Sequence, residues 1–191
     1  MNVTLSREQA GVTRPVHPAI NLRKILAPVD FSNHSGKALA YVQAVARQFG
    51  AEVLLVHVVE PTVIPDNFGI VPPAYEEVGA ALIKAAKERL SRLTSELGLD
   101  TGKVRWEVRT GRAAWEIVRA AEEAGVDLIV ITTHGYTGLK HVLMGSTAEL
   151  IVRHATCPVL TVRSQAPNLN DPHSQGLGTS AGRTKPMPTG A

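Results

Sequence analysis

Cysteine is almost absent from this sequence, which contains only Cys157 in 191 residues. A single cysteine excludes a disulfide within the chain and a metal site built from several cysteines, and it suits a reducing compartment. Aromatic residues make up 4% of the chain, and the lysines and arginines form no dense block despite a formal net charge of +3. The charge therefore indicates a solvated surface and no nucleic-acid partner.

Long apolar runs are also missing. No run approaches the length that crosses a membrane, and residues 1–22 lack the apolar centre of a signal peptide. We therefore expect a cytoplasmic protein with no membrane partner. With 44% apolar residues, the chain is long enough for one domain with a hydrophobic core and additional tails.

Short apolar segments alternate with helix-like segments through the middle of the chain. Residues 24–29 and 53–59 are apolar without alternation, which is typical of strands covered on both faces. Residues 104–108 alternate and predict a half-exposed third strand. A fourth strand is expected to end at residue 131 or 132, and a fifth at 158–162. This order predicts an α/β fold with a doubly wound, Rossmann-like, five-stranded parallel sheet and helices on both faces.

Helix signals fill the intervals between these strands. The first helix is expected to have Ser32 or Asn33 as its N-cap and to continue to about Gly50. Residues 60–75 contain four prolines and predict an irregular loop. A long amphipathic helix follows, with an apolar face formed by Val78, Leu82, Ala86, Leu90, Leu93 and Leu97. Two further helices are expected at 113–124 and at about 146–154.

Composition also divides the chain. We expect an N-terminal arm at residues 1–22, a folded domain at 23–163 and a disordered tail at 164–191. The tail is rich in glycine, proline and serine and contains no aromatic residue. Such a segment cannot bury enough apolar surface to fold alone.

The residues after the fourth apolar run carry the clearest functional signal. Residues 132–135 read Thr-Thr-His-Gly, and nine residues separate Gly135 from Gly145, Ser146 and Thr147. A glycine-bearing loop therefore connects a strand end to a helix start. Unpaired N–H groups and the positive dipole end at a helix start attract anions, and glycine allows close approach. The pattern predicts that the backbone of Gly135, Gly145 and Ser146 binds phosphate.

These residues resemble the universal stress protein family over about residues 22–163. Nucleotide-binding members of that family carry Gly-x-x-Gly, nine residues and then Gly-Ser/Thr. This chain matches every fixed position except the first, which is Thr132. The resemblance also covers the segments at 24–30, 55–58, 110–111 and 156–160. It implies the strand order 3-2-1-4-5, ATP or another adenine nucleotide as ligand, with or without Mg²⁺, and a homodimer formed through the fifth strand.

The resemblance also implies roles for particular residues. Asp30 would contact the ribose or adenine, and the neighbourhoods of Pro28 and Val58 would surround the base. Ribose and phosphates would be held by Thr132, His134 and Gly135 in the loop, and by Gly145, Ser146 and Thr147 at the turn. In an open α/β sheet a ligand binds beyond the carboxyl ends of the strands, where the strand order reverses. With strands one and four as central neighbours, Asp30 and the Thr132 loop flank that place.

Each candidate also has a structural interpretation. Ser146 and Glu149 have the spacing of a capping box, so the Ser146 hydroxyl has the alternative role of capping its own helix. Asp30 has the alternative role of a turn residue at a strand end. Thr132 would cost about 1–3 kcal/mol if the loop needed a positive φ there, and little if it is extended. We favour ligand binding and an extended Thr132. His57 is expected to be a satisfied core or crevice histidine.

No catalytic or metal-binding residue is expected. The sequence lacks a Walker A motif, and its seven histidines show no metal-ligand spacing. We interpret the chain as an ATP-binding universal stress protein that acts as a regulatory or protective module. The alternatives are a dimeric interaction module of the same fold that binds no nucleotide, and a slow ATPase.

Overall fold

Strands and helices alternate along the chain. The structure, a computed structural model, describes residues 20–61, 73–133, 144–163 and 166. The strands are β1 Lys24–Pro28, β2 Glu52–Val59, β3 Val104–Thr110, β4 Leu128–Thr132 and β5 Val159–Val162. The helices are α1 Asn33–Phe49, α2 Pro73–Glu96, α3 Ala113–Ala124 and α4 Ser146–His154, with a 3₁₀ turn at Thr101–Lys103.

The five strands form one parallel sheet in the order β3-β2-β1-β4-β5. This confirms the predicted fold class and strand order. The central pair is β1 and β4, where Ile25 lies opposite Leu128, while β3 and β5 form the two edges. The chain leaves β1 in one direction and β4 in the other, so a crevice opens between their carboxyl ends.

Both faces of the sheet are covered by helices, which explains the continuous apolar runs. Successive side chains of a strand point to opposite faces, so Ile25 contributes to one core and Leu26 to the other. The core that contains Ile25 is completed by α1 and α2, and the core that contains Leu26 by α3 and α4. Both side chains are fully buried. The strand ends are thereby held rigidly at one edge of two packed layers.

The ends of α1 follow the predicted signals. Ser32 is the N-cap, and its Oγ accepts a hydrogen bond from the Ser35 N–H at 3.3 Å. Gly50 ends the helix at φ 67°, a left-handed conformation that glycine adopts without a Cβ penalty. The choice left open between Ser32 and Asn33 is therefore resolved in favour of Ser32.

The predicted loop at residues 60–75 is wrong at its C-terminal end, because α2 begins at Pro73. Proline is compatible with the first helical position, where its missing N–H has no partner within the helix. Residues 62–72, nearly all of the predicted arm and nearly all of the predicted tail lie outside the described residues. In the part of the chain that the structure describes, no helix has the length and apolar character needed to cross a membrane.

Candidate functional site

A cavity of about 370 Å³ opens at the carboxyl ends of β1, β2 and β4. The first turns of α3 and α4 complete its walls. This is the crevice that the reversal of strand order creates, and its volume falls within the range of about 300–1,000 Å³ typical of small-molecule sites.

Seven of the nine predicted site residues line this one cavity. They are Pro28, Asp30, Val58, Thr132, Gly145, Ser146 and Thr147. The other two, His134 and Gly135, lie outside the described residues. Segments more than 100 residues apart in sequence therefore meet at one place.

Asp30 begins a tight turn between β1 and α1. Its Oδ1 accepts hydrogen bonds from the Ser32 N–H at 2.9 Å and from the Ser32 hydroxyl at 2.7 Å. Burial acts to raise the pKa of Asp30, but hydrogen bonds from Ser32 and Ser35 outweigh it and hold the pKa below its ordinary value. Asp30 is therefore both a turn residue and an ionised carboxylate at the cavity wall, with Oδ2 outside the two bonds from Ser32.

Phe31 adopts φ 59° within this turn, in the left-handed region that a bulky residue rarely enters. Its ring lies 4.5 Å from the His57 ring, centroid to centroid, and the Arg89 guanidinium carbon lies 4.1 Å from the Phe31 ring centroid. These two contacts stabilise a conformation that costs about 1–3 kcal/mol. The turn that carries Asp30 is therefore fixed by tertiary packing.

His57 lines the cavity from β2. Its Nδ1 lies 2.7 Å from the Val29 carbonyl oxygen. A carbonyl only accepts, so Nδ1 is the donor in this bond. His57 is thus the satisfied crevice histidine that the sequence predicts.

The start of α4 differs from the capping-box interpretation. Gly145, with ψ 153°, is the N-cap, and as a glycine it has no side chain to cap the helix. Ser146 is already the first helical residue, while Glu149 forms a salt bridge with Arg153 at 2.9 Å. The capping-box alternative is therefore wrong, because the helix starts one residue earlier than that motif requires.

Gly145 also makes a backbone hydrogen bond that the sequence does not predict. Its N–H donates to the Thr133 carbonyl at 2.7 Å, so it is not free for the phosphate assigned to it. The first intrahelical bond runs from the Glu149 N–H to the Gly145 carbonyl. The N–H groups of residues 146–148 precede that bond and point out of the helix start. A Cβ on Gly145 would lie 3.4 Å from the Thr133 carbonyl oxygen, at van der Waals contact, so a larger side chain would have little room on that side.

Thr132 is the last residue of β4 and pairs with Val162 of β5. Among the described residues other than glycine, only Phe31 has a positive φ, so Thr132 is extended as predicted. Its β-branched side chain therefore causes no backbone strain. Thr132 and Thr133 are both buried.

Glu60 is a cavity residue that the sequence analysis missed. Its Oε1 accepts a hydrogen bond from the Ala113 N–H at 2.7 Å, at the first residue of α3. The N-cap of α3, Arg112, makes no side-chain cap bond, so Glu60 takes that role from the end of β2. The available signal was position: Glu60 directly follows β2, and Asp30 lies just after β1.

The described lining of the cavity contains two carboxylates, Asp30 and Glu60, and neither lysine nor arginine. An anion bound within this lining would therefore rely on N–H and hydroxyl donors. No group of three or more potential metal ligands occurs among the described residues.

Comparison with known proteins gives a consistent family. The model of the universal stress protein family matches residues 21–163. Universal stress protein MJ0577 of Methanocaldococcus jannaschii is 34% identical over 158 residues, covering 76% of this chain and 97% of that protein. The solved structure of MJ0577 has a TM-score of 0.65 and covers 75% of this chain and 97% of its own.

Two further relatives agree. Universal stress protein MJ0531 of the same organism is 34% identical over 145 residues, covering 74% of this chain and 82% of its own. The universal stress protein of Archaeoglobus fulgidus in complex with dAMP has a TM-score of 0.51 at 23% identity, covering 75% of this chain and 98% of its own, and shares the fold. The chain described here belongs to the universal stress protein family.

Proposed function

We propose that the cavity binds an adenine nucleotide, with ATP as the principal ligand, and that the protein acts as a regulatory or protective module. The observation that carries this proposal is the convergence of seven predicted residues on one cavity at the switch point of the sheet. The dAMP complex of the Archaeoglobus fulgidus relative supports an adenine nucleotide as the ligand class.

The start of α4 suits the phosphates. Gly145 has no side chain of its own to cap the helix, and residues 146–148 present N–H groups ahead of the first intrahelical bond. Ser146 and Thr147 add hydroxyl donors from the cavity wall. A helix start with a glycine N-cap is a favourable phosphate site because the N–H groups and the helix dipole act together.

The opposite side of the cavity suits the nucleoside. The Asp30 carboxylate accepts hydrogen bonds, as ribose hydroxyls or a base amine require. Pro28 and Val58 provide apolar surface in the lining of the same cavity, suited to a planar base. Where Mg²⁺ accompanies ATP, the phosphates would hold it, since the described residues offer no cluster of three ligands.

The working unit that we propose is a homodimer paired through β5, located in the cytoplasm. β5 is an edge strand, and Leu160 on it is 38% exposed. An apolar edge strand favours pairing with a second chain, and two-fold symmetry would cover both copies.

Mass spectrometry of small molecules released by denaturing freshly purified protein tests the proposed ligand. We expect an adenine nucleotide near one equivalent per chain. Protein that carries no nucleotide and shows no binding in a titration with ATP, ADP and AMP would support the interaction module instead. Hydrolysis of bound ATP at a rate that Gly145→Val abolishes would support the slow ATPase.

A further inference from the structure

Two helices start at the cavity, and the hydrogen bonds at their N-termini differ. At α4 the N-cap residue is Gly145, which has no side chain to cap the first turn. At α3 the N-cap residue Arg112 also makes no side-chain bond, but the Glu60 carboxylate reaches the Ala113 N–H from β2. Glu60 thus occupies the position at which an anion would bind the start of α3.

The charges of the cavity wall reinforce this difference. Glu60 adds negative charge at the α3 end, whereas Ser146 and Thr147 add hydroxyl donors at the α4 end. Without Glu60, the Ala113 N–H at the start of α3 would lose this hydrogen-bond partner. An unpaired N–H at a helix start favours an anion because the helix dipole is positive there. The Glu60 carboxylate therefore occupies the place of a second anion in the same cavity.

We propose that Glu60 is a specificity-determining residue that closes the α3 end of the cavity to anions. This proposal rests on the proposed function, because it takes the ligand to be a nucleotide. Glu60 occupies the N-terminus of α3, whereas the N-terminus of α4 is available to phosphate. The ligand therefore binds in one direction, with its phosphates at α4. The cavity selects nucleotides that are anionic at one end only, and it rejects those that carry a second phosphate at the nucleoside end.

Titration of inorganic phosphate into the ¹⁵N-labelled full chain tests this proposal, because backbone amide shifts report the two helix starts separately. In the wild type we expect shifts at Ser146 and Thr147 and none at Ala113 and Ala114. In Glu60→Ala we expect a second site at Ala113, with phosphate affinity there raised about tenfold.

Two further variants separate the hydrogen bond from the charge. Glu60→Gln keeps an acceptor for the Ala113 N–H and removes the charge, so its phosphate affinity at Ala113 should lie between those of the wild type and Glu60→Ala. Glu52→Gln, at the opposite end of β2, changes the net charge equally and should titrate as the wild type does.

If the Ala113 amide reports the same phosphate affinity in the wild type and in Glu60→Ala, the proposal is overturned. If Glu60→Ala does not fold, Glu60→Gln decides, because removal of the charge should raise phosphate affinity at Ala113 about twofold or more. An unchanged affinity would overturn the proposal equally. Absence of shifts at Ser146 in the wild type would count against the proposed phosphate site at α4 and leave the comparison at Ala113 interpretable.

Discussion

Asp30 combines a structural and a proposed binding role in one carboxylate. Oδ1 accepts both hydrogen bonds from Ser32 and thereby shapes the turn into α1, which has Ser32 as its N-cap. Oδ2 takes no part in those two bonds. Ser35 also contributes a hydrogen bond that lowers the pKa of Asp30. Because a carboxylate has about four acceptor positions, the side chain retains acceptor capacity for a ligand while the turn fixes its orientation.

Replacing Asp30 tests its assignment to the nucleoside. We expect Asp30→Ala to lower the affinities for AMP, ADP and ATP by a similar factor of about tenfold. Hydrogen bonds to a charged group contribute about 1.5–3 kcal/mol, and all three ligands share the nucleoside. Asp30→Asn, which keeps the Oδ1 acceptor of the turn, should lower the affinities less. Isothermal titration calorimetry measures the three affinities, and a loss confined to ATP would indicate a role at the phosphates.

The lowered pKa of Asp30 predicts a dependence of stability on pH. Its folded-state pKa lies below the ordinary value of 3.8, so between these two values the unfolded chain binds more protons. The stabilisation is fully present above pH 3.8 and is lost as pH falls through the folded-state pKa. Urea unfolding at a series of acidic pH values should show a shallower decline for Asp30→Asn than for the wild type. Parallel declines would contradict this contribution.

At the scale of elements, the start of α4 separates binding from folding. Because Ser146 lies inside the helix and does not cap it, we expect Ser146→Ala to change the free energy of unfolding by less than about 0.5 kcal/mol. The same variant should lower the affinity for ATP, because it removes a hydroxyl donor. Chemical denaturation and calorimetry measure the two effects. A destabilisation near 1 kcal/mol with unchanged ATP affinity would restore the capping interpretation.

The elements were predictable from sequence wherever a local cause defines them. The run at 53–59 is apolar because both faces of β2 are covered, and Ser32 and Gly50 bound α1 through their own conformations. The start of α2 was missed because the prolines before it resemble a loop, although proline fits a first helical turn.

The candidate site was predictable to the same extent. Asp30 lies just after the end of a strand, and Thr132 and Gly145 lie at an element boundary, so each was visible in the sequence. The bond between Glu60 and Ala113 joins residues 53 positions apart. It depends on how β2 and α3 are placed in three dimensions, which no local pattern specifies. The one-residue shift at α4 likewise depends on the Thr133 carbonyl holding Gly145.

At the scale of the whole molecule, the side of β5 that faces away from β4 in the described sheet determines how two chains would pair. The carbonyls of Pro158 and Val162 accept from the β4 side, so the even-numbered residues of β5 face β4. In a parallel ladder the backbone groups of odd-numbered residues then point outward. The Thr161 N–H therefore points away from β4, at the edge of the described sheet.

Thr161→Pro removes that donor without removing a donor to β4. An isologous dimer would lose two hydrogen bonds at about 1 kcal/mol each, which weakens dimerisation roughly tenfold to hundredfold. Thr161→Val keeps the N–H and should remain dimeric. Analytical ultracentrifugation measures the dissociation constants. A monomeric wild type, or an unchanged dimer in a folded Thr161→Pro variant, would exclude pairing through β5.

Calorimetric titration of ATP into the wild type and Gly145→Val tests the central claim most directly. A Cβ at Gly145 already lies 3.4 Å from the Thr133 carbonyl oxygen, and the branches of valine need more space beside the α4 start. The control is Gly102→Val, because a Cβ at Gly102 has no heavy atom within 4 Å. We predict micromolar ATP binding, about −8 kcal/mol, in the wild type and in Gly102→Val, and none in a folded Gly145→Val. Equal ATP affinity in all three proteins, or no binding by the wild type, would contradict the account.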